Sequence, residues 1–492
     1  IKLNKASIIG SGIGGLAAAI RLRLKGYKVV VFEANSSFGG KAAEIKKKGF
    51  RFDKGPSLLT MPEKIDELFY LAKKNPKDYF NYNKLNESCR YFYEDGTSIV
   101  AHAKTTDFAK EVYEKTRVSK RTIIEYIKHN TFVFNSTSHL FLEKSLHKLT
   151  SYLSLKVFYS FLKIPFLNLF SSMNKVNNKK FKNKKITQLF NRYATYNGSN
   201  PYLAPGVLNS ISHLEFVRGV FYPRNGMRSI STSLFNLAQE IGVEFKFNAP
   251  VKKINVDKNK VVSILTEGKE FFSDIIVCNN DVYYVYKKLL PAKYSFKLNT
   301  EQERSSSAII FYLGIKKEFQ SLDLHNIFFS EDYKKEFESI QKGQIYKDPT
   351  IYINISSKKT SSDAPKNMEN WFVMINTPFN SGQDWNKLLA EARANVINKL
   401  SRILKIDVES LIAYEESADP RNIEAETHSF AGSLYGTSSN SKGAAFFRHP
   451  NFSRKIKGLY FCGGSVHPGG GVPLVLSSAK IVDGLIPAIN EK

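Results

Sequence analysis

Apolar and polar positions near the start of the chain follow two different periods. Residues 5–35 read KASIIGSGIGGLAAAIRLRLKGYKVVVFEAN. A short β-branched apolar run comes first, then glycines, an amphipathic segment rich in Ala and Leu, a turn and a second apolar run. This order predicts a strand, a helix and a second strand, which together form a βαβ unit.

Three glycines occupy the predicted junction between the first strand and the helix. Gly10 permits a tight turn, Gly12 lets the backbone approach a pyrophosphate, and Gly15 lets the helix pack closely on the strand. The helix N-terminus favours anions because its N–H groups are unpaired and its dipole is positive there. Glu33 ends the second strand, where a carboxylate can bind ribose hydroxyls and disfavours a 2′-phosphate. The pattern predicts a dinucleotide site, with FAD and NAD both open.

A second glycine-rich junction lies near the other end of the chain. Residues 458–486 read GLYFCGGSVHPGGGVPLVLSSAKIVDGLI, which predicts an apolar strand, a glycine cluster and a helix. Such a junction indicates that the C-terminal part returns to complete the nucleotide site. His467 is a candidate base here, but beside Pro468 we expect it to hold the turn by hydrogen bonding.

Between these ends, the pattern predicts a small antiparallel sheet and a helix start. Residues 248–254, 261–264 and 273–277 alternate like antiparallel strands around turns. Residues 60–63, Thr-Met-Pro-Glu, predict a capping box at the start of a helix.

Composition limits the classes of protein and partner. The 492 residues, 42% of them hydrophobic, are enough for a large core. A net charge of +27 usually indicates a polyanionic partner, but the lysines are spread along the chain and no nucleic-acid motif is recognised. Cys89, Cys278 and Cys462 are too far apart for a disulfide framework or a zinc site. We therefore expect neither a nucleic-acid partner nor a metal.

One aromatic segment followed by lysines indicates a membrane surface. Residues 151–170 read SYLSLKVFYSFLKIPFLNLF and precede the lysine-rich residues 174–186. Such a helix suits the bilayer interface, with its cations over anionic headgroups. The alternative is a buried core helix followed by a solvated lysine loop, and Pro165 interrupts either one.

The sequence contains no apolar run of about 18 residues that could span a bilayer, and no signal peptide is recognised. We expect a cytoplasmic protein that associates peripherally with membranes.

Several longer blocks resemble one family. Glu33 is followed by a second glycine turn, Gly39-Gly40-Lys41, and by FDKGP at residues 52–56. Residues 189–215 read LFNRYATYNGSNPYLAPGVLNSISHLE, residues 221–227 read FYPRNGM, and residues 432–453 read GSLYGTSSNSKGAAFFRHPNFS. With the C-terminal GGSVHPGGGVP, these blocks are similar to the carotenoid (phytoene) desaturase family of FAD-dependent oxidoreductases. Within it they most resemble the hydroxycarotenoid 3,4-desaturases.

The resemblance implies an α/β fold with a Rossmann-like FAD-binding domain formed by both chain ends. Residues 1–75 and 431–492 would form that domain, and residues 226–290 would return to it with a small antiparallel sheet. An inserted α+β region would face substrate and membrane: residues 76–225, mostly helical, and the substrate domain at 291–430.

The resemblance also implies non-covalent FAD and a set of residues that contact it. These are Gly10, Gly12, Ile13, Gly14, Gly15, Glu33, Ala34, Gly40, Lys41, Gly55, Pro56, Ser57, Val251, Gly463, Gly464, Gly471, Val472 and Pro473.

The activity that the resemblance implies is the introduction of C=C bonds into an apolar carotenoid, with a 1-hydroxycarotenoid as substrate. A flavin would accept the hydride, because no side chain can, and quinone or oxygen would take the electrons. Asp53, Glu215, Arg224 and His467 are candidate catalytic residues, each with a structural alternative. A phytoene desaturase or a carotenoid isomerase on the same fold stays open, as do an amine oxidase and a non-catalytic prenyl-protein carrier.

Overall fold

The computed structural model describes residues 4–152, 155–294 and 303–489. It confirms the predicted βαβ unit and the α/β class. Its strands, in chain order, are β1 (Lys5–Ile9), β2 (Lys28–Phe32), β3 (Glu44–Lys47), β4 (Phe50–Asp53), β5 (Tyr82–Lys84), β6 (Glu87–Phe92), β7 (Ser98–His102), β8 (Phe221–Pro223), β9 (Glu244–Lys246), β10 (Val251–Asp257), β11 (Lys260–Thr266), β12 (Lys269–Phe272), β13 (Ile275–Cys278), β14 (Ser307–Ile315), β15 (His325–Phe328), β16 (Ile351–Asn354), β17 (Glu369–Thr377), β18 (Ile412–Ala418) and β19 (Leu459–Phe461).

Helices connect and cover these strands. They are α1 (Ile13–Leu24), α2 (Glu63–Leu71), α3 (Thr105–Thr116), α4 (Lys120–Glu143), α5 (Leu155–Leu162), α6 (Met173–Phe181), α7 (Lys184–Asn191), α8 (Arg228–Glu240), α9 (Val282–Tyr284), α10 (Tyr333–Gln341), α11 (Trp385–Leu404), α12 (Pro420–Thr427), α13 (Lys442–Phe446) and α14 (Val472–Leu485).

A parallel sheet joins the two ends of the chain. Its order is β19-β13-β1-β2-β9, and each neighbouring pair is parallel. Helices α1, α8 and α14 cover one face, where Leu16, Leu234 and Leu476 belong to one buried apolar cluster. Burial of such side chains stabilises the fold by about 1.5–3 kcal/mol each. The C-terminal part of the chain therefore returns to the sheet of the N-terminal βαβ unit.

The prediction for residues 273–277 is wrong in one respect. β10, β11 and β12 do form a small antiparallel sheet, but β13 pairs in parallel with β1 and β19. All four residues of β13 are buried. A strand that is covered on both faces is apolar at every position, without the alternation of apolar and polar residues that marks a strand with one solvent face. The pattern of β13 therefore did not distinguish the two sheets.

A seven-stranded sheet forms the second layer of the molecule. Its order is β18-β14-β17-β16-β15-β6-β7, and the β15–β6 pair is parallel whereas the other pairs are antiparallel. Two strands from residues 87–102 thus share a sheet with strands from residues 307–418. The region predicted as mostly helical therefore also contributes strands to this seven-stranded sheet. The domain boundaries themselves stay a prediction.

The aromatic segment and the lysine run differ from what the pattern predicted. Of residues 151–170, positions 153 and 154 lie outside the described residues; the α-helical part is α5, and a 3-10 turn at Ile164–Phe166 holds Pro165. The lysine run is helical rather than a solvated loop, because Met173, Phe181 and Ile186 are buried on α6 and α7. The predicted capping box is also wrong: α2 begins after Pro62 with no side-chain cap among the described residues.

Candidate functional site

One cavity of about 510 Å³ lies between the parallel sheet and the seven-stranded sheet. Its walls include the β1–α1 junction, the start of α14 and side chains from β14 to β17. The carboxyl ends of β1, β13 and β19 point to it, as expected for a ligand site in an open parallel sheet.

Two helices present uncapped N-termini to this cavity. Gly12 is the N-cap of α1 and Gly471 that of α14, and neither helix has a side-chain cap within the described residues. Both glycines line the cavity. The backbone N–H groups in the first turn of each helix, apart from Pro473 of α14, which has none, are thus available to an anion. Both helix dipoles favour an anion there.

The glycines at the first junction have separate steric roles. A Cβ on Gly12 would lie 2.7 Å from Asn279 Nδ2, and one on Gly14 would lie 2.5 Å from Asn279 Oδ1. A Cβ on Gly15 would lie only 2.0 Å from the carbonyl oxygen of Gly10, and Gly10 itself has a φ of +93°. Gly15 therefore serves the contact between helix and strand, whereas Gly12 and Gly14 line the cavity.

Glu33 is a buried carboxylate at the end of β2. Its Oε2 accepts hydrogen bonds from the Ser11 backbone N–H at 2.9 Å and the Ser11 hydroxyl at 2.7 Å. Its Oε1 accepts from the backbone and side-chain amides of Asn35, both at 3.0 Å. These bonds fix the carboxylate at the edge of the cavity, which Glu33 and Asn35 both line.

Lys41 brings a cation to the second glycine turn. Its ammonium donates a hydrogen bond to the carbonyl oxygen of Leu434 at 2.9 Å, and the residue lines the cavity. Its accessible surface faces the cavity, so the surrounding protein withholds water and lowers its pKa to about 8, against the opposing effect of Asp281. Gly55 must be glycine because a Cβ there would lie 2.1 Å from the Lys41 carbonyl oxygen.

These features fit a flavin dinucleotide. Two uncapped helix N-termini suit a pyrophosphate, a buried carboxylate at the strand end suits ribose hydroxyls, and Lys41 adds a positive charge. Gly471, with a φ of +100°, has open space where a Cβ would lie. The predicted cofactor residues that line the cavity are Gly10, Gly12, Ile13, Gly14, Glu33, Ala34, Gly40, Lys41, Gly55, Pro56, Ser57, Val251, Gly463, Gly464, Gly471, Val472 and Pro473.

Three of the four candidate catalytic residues lie outside the cavity lining. Asp53 is buried against Arg51, whose Nη2 donates to it at 2.6 Å, and it accepts the backbone N–H groups of Met227 and Arg228. Arg224 is exposed at the surface. These two residues therefore have structural or surface positions.

His467, the third, is fully buried outside the cavity lining. Its Nε2 lies 3.0 Å from the carbonyl oxygen of Lys144. Burial lowers its pKa to about 4, so the ring is neutral and donates this bond. The geometry is that of the structural histidine expected from the sequence.

Glu215, the fourth candidate, lines the cavity as part of a buried polar cluster. Arg192 Nη2 donates to both of its oxygens, at 3.0 and 2.8 Å. Tyr193 donates to Oε2 at 2.7 Å, and Tyr196 donates a short hydrogen bond to Oε1. Tyr91 accepts hydrogen bonds from Arg192 Nε and Nη2 at 2.9 and 2.6 Å. Three donor groups thus make four hydrogen bonds to the carboxylate, two at each oxygen, and hold Glu215 in a fixed position.

The opposite wall of the cavity is apolar and aromatic. Alternate residues of β14 and β17 face it, namely Ile310, Tyr312, Phe372 and Met374. Phe311 and Val373 face the other way and pack under α11. The period of two along both strands therefore separates the cavity wall from the core.

A chain of hydrogen bonds runs from Ser57 through Tyr352 to His325, in the wall of the cavity that also holds Glu215. Tyr352 donates to Ser57 Oγ at 2.8 Å and lies 2.8 Å from His325 Nδ1. Burial lowers the pKa of His325 to about 4, and the charges of Glu215 and Arg192 also act on it. Ser57, His325 and Tyr352 all line the cavity, so the predicted flavin loop and the polar cluster are adjacent.

Sequence reasoning missed several residues of this cavity. Asn279 and Asn280 follow β13 and line it; the carboxyl-end rule for parallel strands would have found them once β13 was assigned correctly. Arg192 and Tyr196 lie in a block that was recognised only by its resemblance to a family. Tyr312 and Tyr352 come from strands in a part of the chain that carries no recognised motif.

Neither Cys462 nor Cys89 has the properties of a covalent flavin attachment site. Cys462 is buried in the core beneath the C-terminal junction, and burial raises its pKa to about 12. It lies outside the cavity lining. Cys89 does line the cavity, but burial raises its pKa to about 12 as well, so it is a thiol rather than a nucleophilic thiolate.

Comparisons with known proteins agree with this geometry. Residues 13–482 match the family of flavin-containing amine oxidoreductases. A 1-hydroxycarotenoid 3,4-desaturase from a Flavobacterium species is 53% identical, over 99% of this chain and 100% of that protein. A 4,4′-diaponeurosporene oxygenase from Staphylococcus haemolyticus is 30% identical, over 99% and 98%.

Among solved structures, cyclohexylamine oxidase from Brevibacterium oxydans has the same fold, with a TM-score of 0.61 at 12% identity over 98% of each chain. The prediction of an FAD-dependent oxidoreductase is thereby confirmed. The chain belongs to the flavin-containing amine oxidoreductase family, in its branch of carotenoid desaturases.

Proposed function

We propose that this chain is an FAD-dependent desaturase that introduces a C=C bond next to the hydroxylated end of an acyclic carotenoid. The observation that carries the proposal is a single cavity lined both by the flavin-site turns and by the aromatic wall of β14 and β17. An apolar polyene and the redox group therefore meet in one space. The likeness to a 1-hydroxycarotenoid 3,4-desaturase supports the choice of substrate.

Desaturation removes a hydride equivalent and a proton from adjacent carbons. FAD, when bound, would supply the acceptor for both, since its reduction takes up a hydride and a proton and no side chain can accept a hydride. The protein holds the cofactor through the N-termini of α1 and α14, Glu33 and Lys41, and it orients the polyene against Tyr312 and Phe372. We propose quinone or oxygen as the final electron acceptor.

The proposal includes peripheral binding to a membrane, where a long polyene is dissolved. No helix in the described ranges is long and apolar enough to cross a bilayer. Leu162, Phe166 and Phe447 expose 59%, 63% and 61% of their surface. Leu167 and Phe446, the chain neighbours of Phe166 and Phe447, belong to or pack against one small buried cluster. Lys163 lies over the ring of Phe132. Apolar side chains beside a cation suit the bilayer interface.

The direct test is turnover of defined substrates. The purified FAD-loaded protein is incubated in carotenoid-containing liposomes with an acyclic 1-hydroxycarotenoid or with its non-hydroxylated counterpart, and products are analysed by mass and absorption. We expect loss of two hydrogens and a red shift with the hydroxylated substrate. A red shift only without the hydroxyl would indicate a phytoene-type desaturase, and an isomerised product of unchanged mass would indicate an isomerase.

A further inference from the structure

The buried cluster around Glu215 has two different sides. Arg192 and Tyr196 line the cavity, whereas Tyr91 and Tyr193 complete the cluster from outside the lining. Arg192 is 7% exposed and Glu215 is 2% exposed. Placing an ion pair beside an otherwise apolar wall costs desolvation energy, so a ligand that uses its polar groups is the natural reason for its position.

On the side that faces the cavity, two groups can still form hydrogen bonds to a ligand. The hydrogen bonds of Arg192 to described residues leave from Nε and Nη2, so the Nη1 donors are available to a ligand. Tyr196 donates its proton to Glu215, and its phenolic oxygen can still accept one. One donor and one acceptor side by side complement an alcohol, which accepts one hydrogen bond and donates another.

The cluster is also placed where such an alcohol would have to bind. In a 1-hydroxycarotenoid desaturated at its 3,4-bond, the hydroxylated carbon is two bonds from the first reacting carbon. The alcohol must therefore bind beside the flavin site rather than at a remote end of the cavity. Arg192, Tyr196 and Ser57 of the flavin-site loop line the same cavity. Tyr352, also in this lining, hydrogen-bonds to both Ser57 and His325.

We propose that Arg192 and Tyr196 form a hydroxyl-binding subsite that selects hydroxylated over non-hydroxylated polyenes; this inference rests on the proposed function. Arg192 Nη1 donates to the alcohol oxygen, and the alcohol O–H donates to the oxygen of Tyr196. Glu215 is a positioning residue, since its carboxylate accepts hydrogen bonds from both Arg192 and Tyr196. A polyene without the hydroxyl leaves the Arg192 donors unpaired in a dry cavity, which is the basis of rejection.

Tyr196→Phe and Tyr193→Phe form a matched pair for the test. Each removes one hydrogen bond to Glu215, but only Tyr196 faces the cavity. For the wild type and both variants, kcat and KM are measured with the 1-hydroxy, 1-methoxy and non-hydroxylated forms of one acyclic carotenoid. Bound flavin is measured by absorbance and stability by thermal unfolding.

We expect Tyr196→Phe to reduce the preference for the hydroxylated substrate by about ten- to a hundredfold, mainly through KM, since this is the effect of a hydrogen bond in a charged cluster. A methoxy group accepts a hydrogen bond but cannot donate one. The Tyr196→Phe variant should therefore show almost the same kcat/KM for the hydroxy and methoxy forms. Tyr193→Phe should keep the wild-type preference.

The possible outcomes separate the two proposals. If the wild type converts neither substrate, the proposed function is wrong. If it prefers the hydroxylated substrate and Tyr196→Phe keeps that preference, only the subsite is refuted. If Tyr196→Phe does not fold, Glu215→Gln replaces it, and an unchanged preference for the hydroxylated substrate in Glu215→Gln would refute the subsite. If Tyr196→Phe and Glu215→Gln both fold but lose flavin, while Tyr193→Phe retains it, the cluster serves cofactor binding and the subsite is likewise refuted.

Discussion

Gly15 and Gly10 are in backbone contact across the β1–α1 junction, and a Cβ on Gly15 would lie 2.0 Å from the carbonyl oxygen of Gly10. The obstacle is main chain on both sides, so no side chain can move away to relieve it. The helix start that faces the cavity depends on this contact, although Gly15 itself lies outside the cavity lining.

We therefore predict that Gly15→Ala lowers the free energy of unfolding by about 3 kcal/mol, the upper part of the range for overpacking. It should also weaken FAD binding, because the N-terminus of α1 must shift. Gly484 is the matched control: it lies exposed in α14, with open space where its Cβ would be. Gly484→Ala should stabilise by about 0.5–1 kcal/mol. Urea unfolding and flavin fluorescence measure both effects; equal stability of the two variants would contradict the steric argument.

The contrast between this junction and the polar cluster shows what the sequence could predict. The roles of Gly10, Gly12 and Gly15 depend on local spacing between a strand and a helix, so the sequence was sufficient. Arg192 and Glu215 are 23 positions apart, and Tyr91 reaches them from a strand about a hundred residues earlier. Only tertiary packing brings these residues together, and no local periodicity carries that information.

The same limit explains the two main corrections. β13 is apolar on both faces, so its pattern was compatible with either sheet, and the pairing with β1 was decided by chain topology. Among the lysines of α6 and α7, Met173, Phe181 and Ile186 form a buried helical stripe. The alternative interpretation from composition had predicted a solvated loop there. In both cases the deciding partner is distant along the chain.

Asp53 offers a test that separates stability from catalysis. Its carboxylate pairs with buried Arg51 and accepts two backbone N–H groups at the start of α8, away from the cavity lining. We predict that Asp53→Asn lowers the free energy of unfolding by about 3 kcal/mol, the lower end of the range for a broken buried ion pair. The effect is at the lower end because Arg51 keeps its ion pairs with Glu44 and Asp363.

Turnover per bound flavin should not change in Asp53→Asn. The control is Glu244→Gln, which removes an exposed pair with Lys28 and should cost less than about 1 kcal/mol. Chemical unfolding and steady-state turnover are measured on the flavin-loaded proteins. A folded, flavin-saturated Asp53→Asn protein that has lost turnover would restore Asp53 as a candidate base.

Lys41 predicts a pH dependence of FAD binding. Desolvation by the surrounding protein lowers the pKa of Lys41 to about 8 in the free protein, and a nearby pyrophosphate would raise it. Below pH 8 Lys41 is already charged in the free protein, so FAD binding gains the full attraction between its ammonium and the pyrophosphate. Above pH 8 the lysine must first take up a proton, so affinity should fall by up to about tenfold per pH unit.

The measurement is flavin titration between pH 7 and 9.5, with calorimetry in two buffers to detect proton uptake. Lys41→Arg keeps the charge and does not titrate in this range, so its affinity should be nearly independent of pH. Lys41→Gln should bind more weakly at pH 7 and also show no slope. An identical slope in the wild type and Lys41→Arg would assign the titration to another group.

The exposed aromatic side chains predict where the protein meets a bilayer. Deleting residues 151–186 would also remove the buried Met173 and Phe181, so the sharper change is Phe166→Ser with Phe447→Ser, which leaves the core intact. Each exposed Phe that enters the interface contributes about 1.5–3 kcal/mol at full burial, and we expect the double variant to bind anionic liposomes at least about tenfold more weakly. Phe272→Ser, at an equally exposed position of β12, is the control and should sediment with liposomes like the wild type. Self-association of the wild type that disappears in the double variant, with liposome binding unchanged, would instead make this surface an interface between copies of the chain.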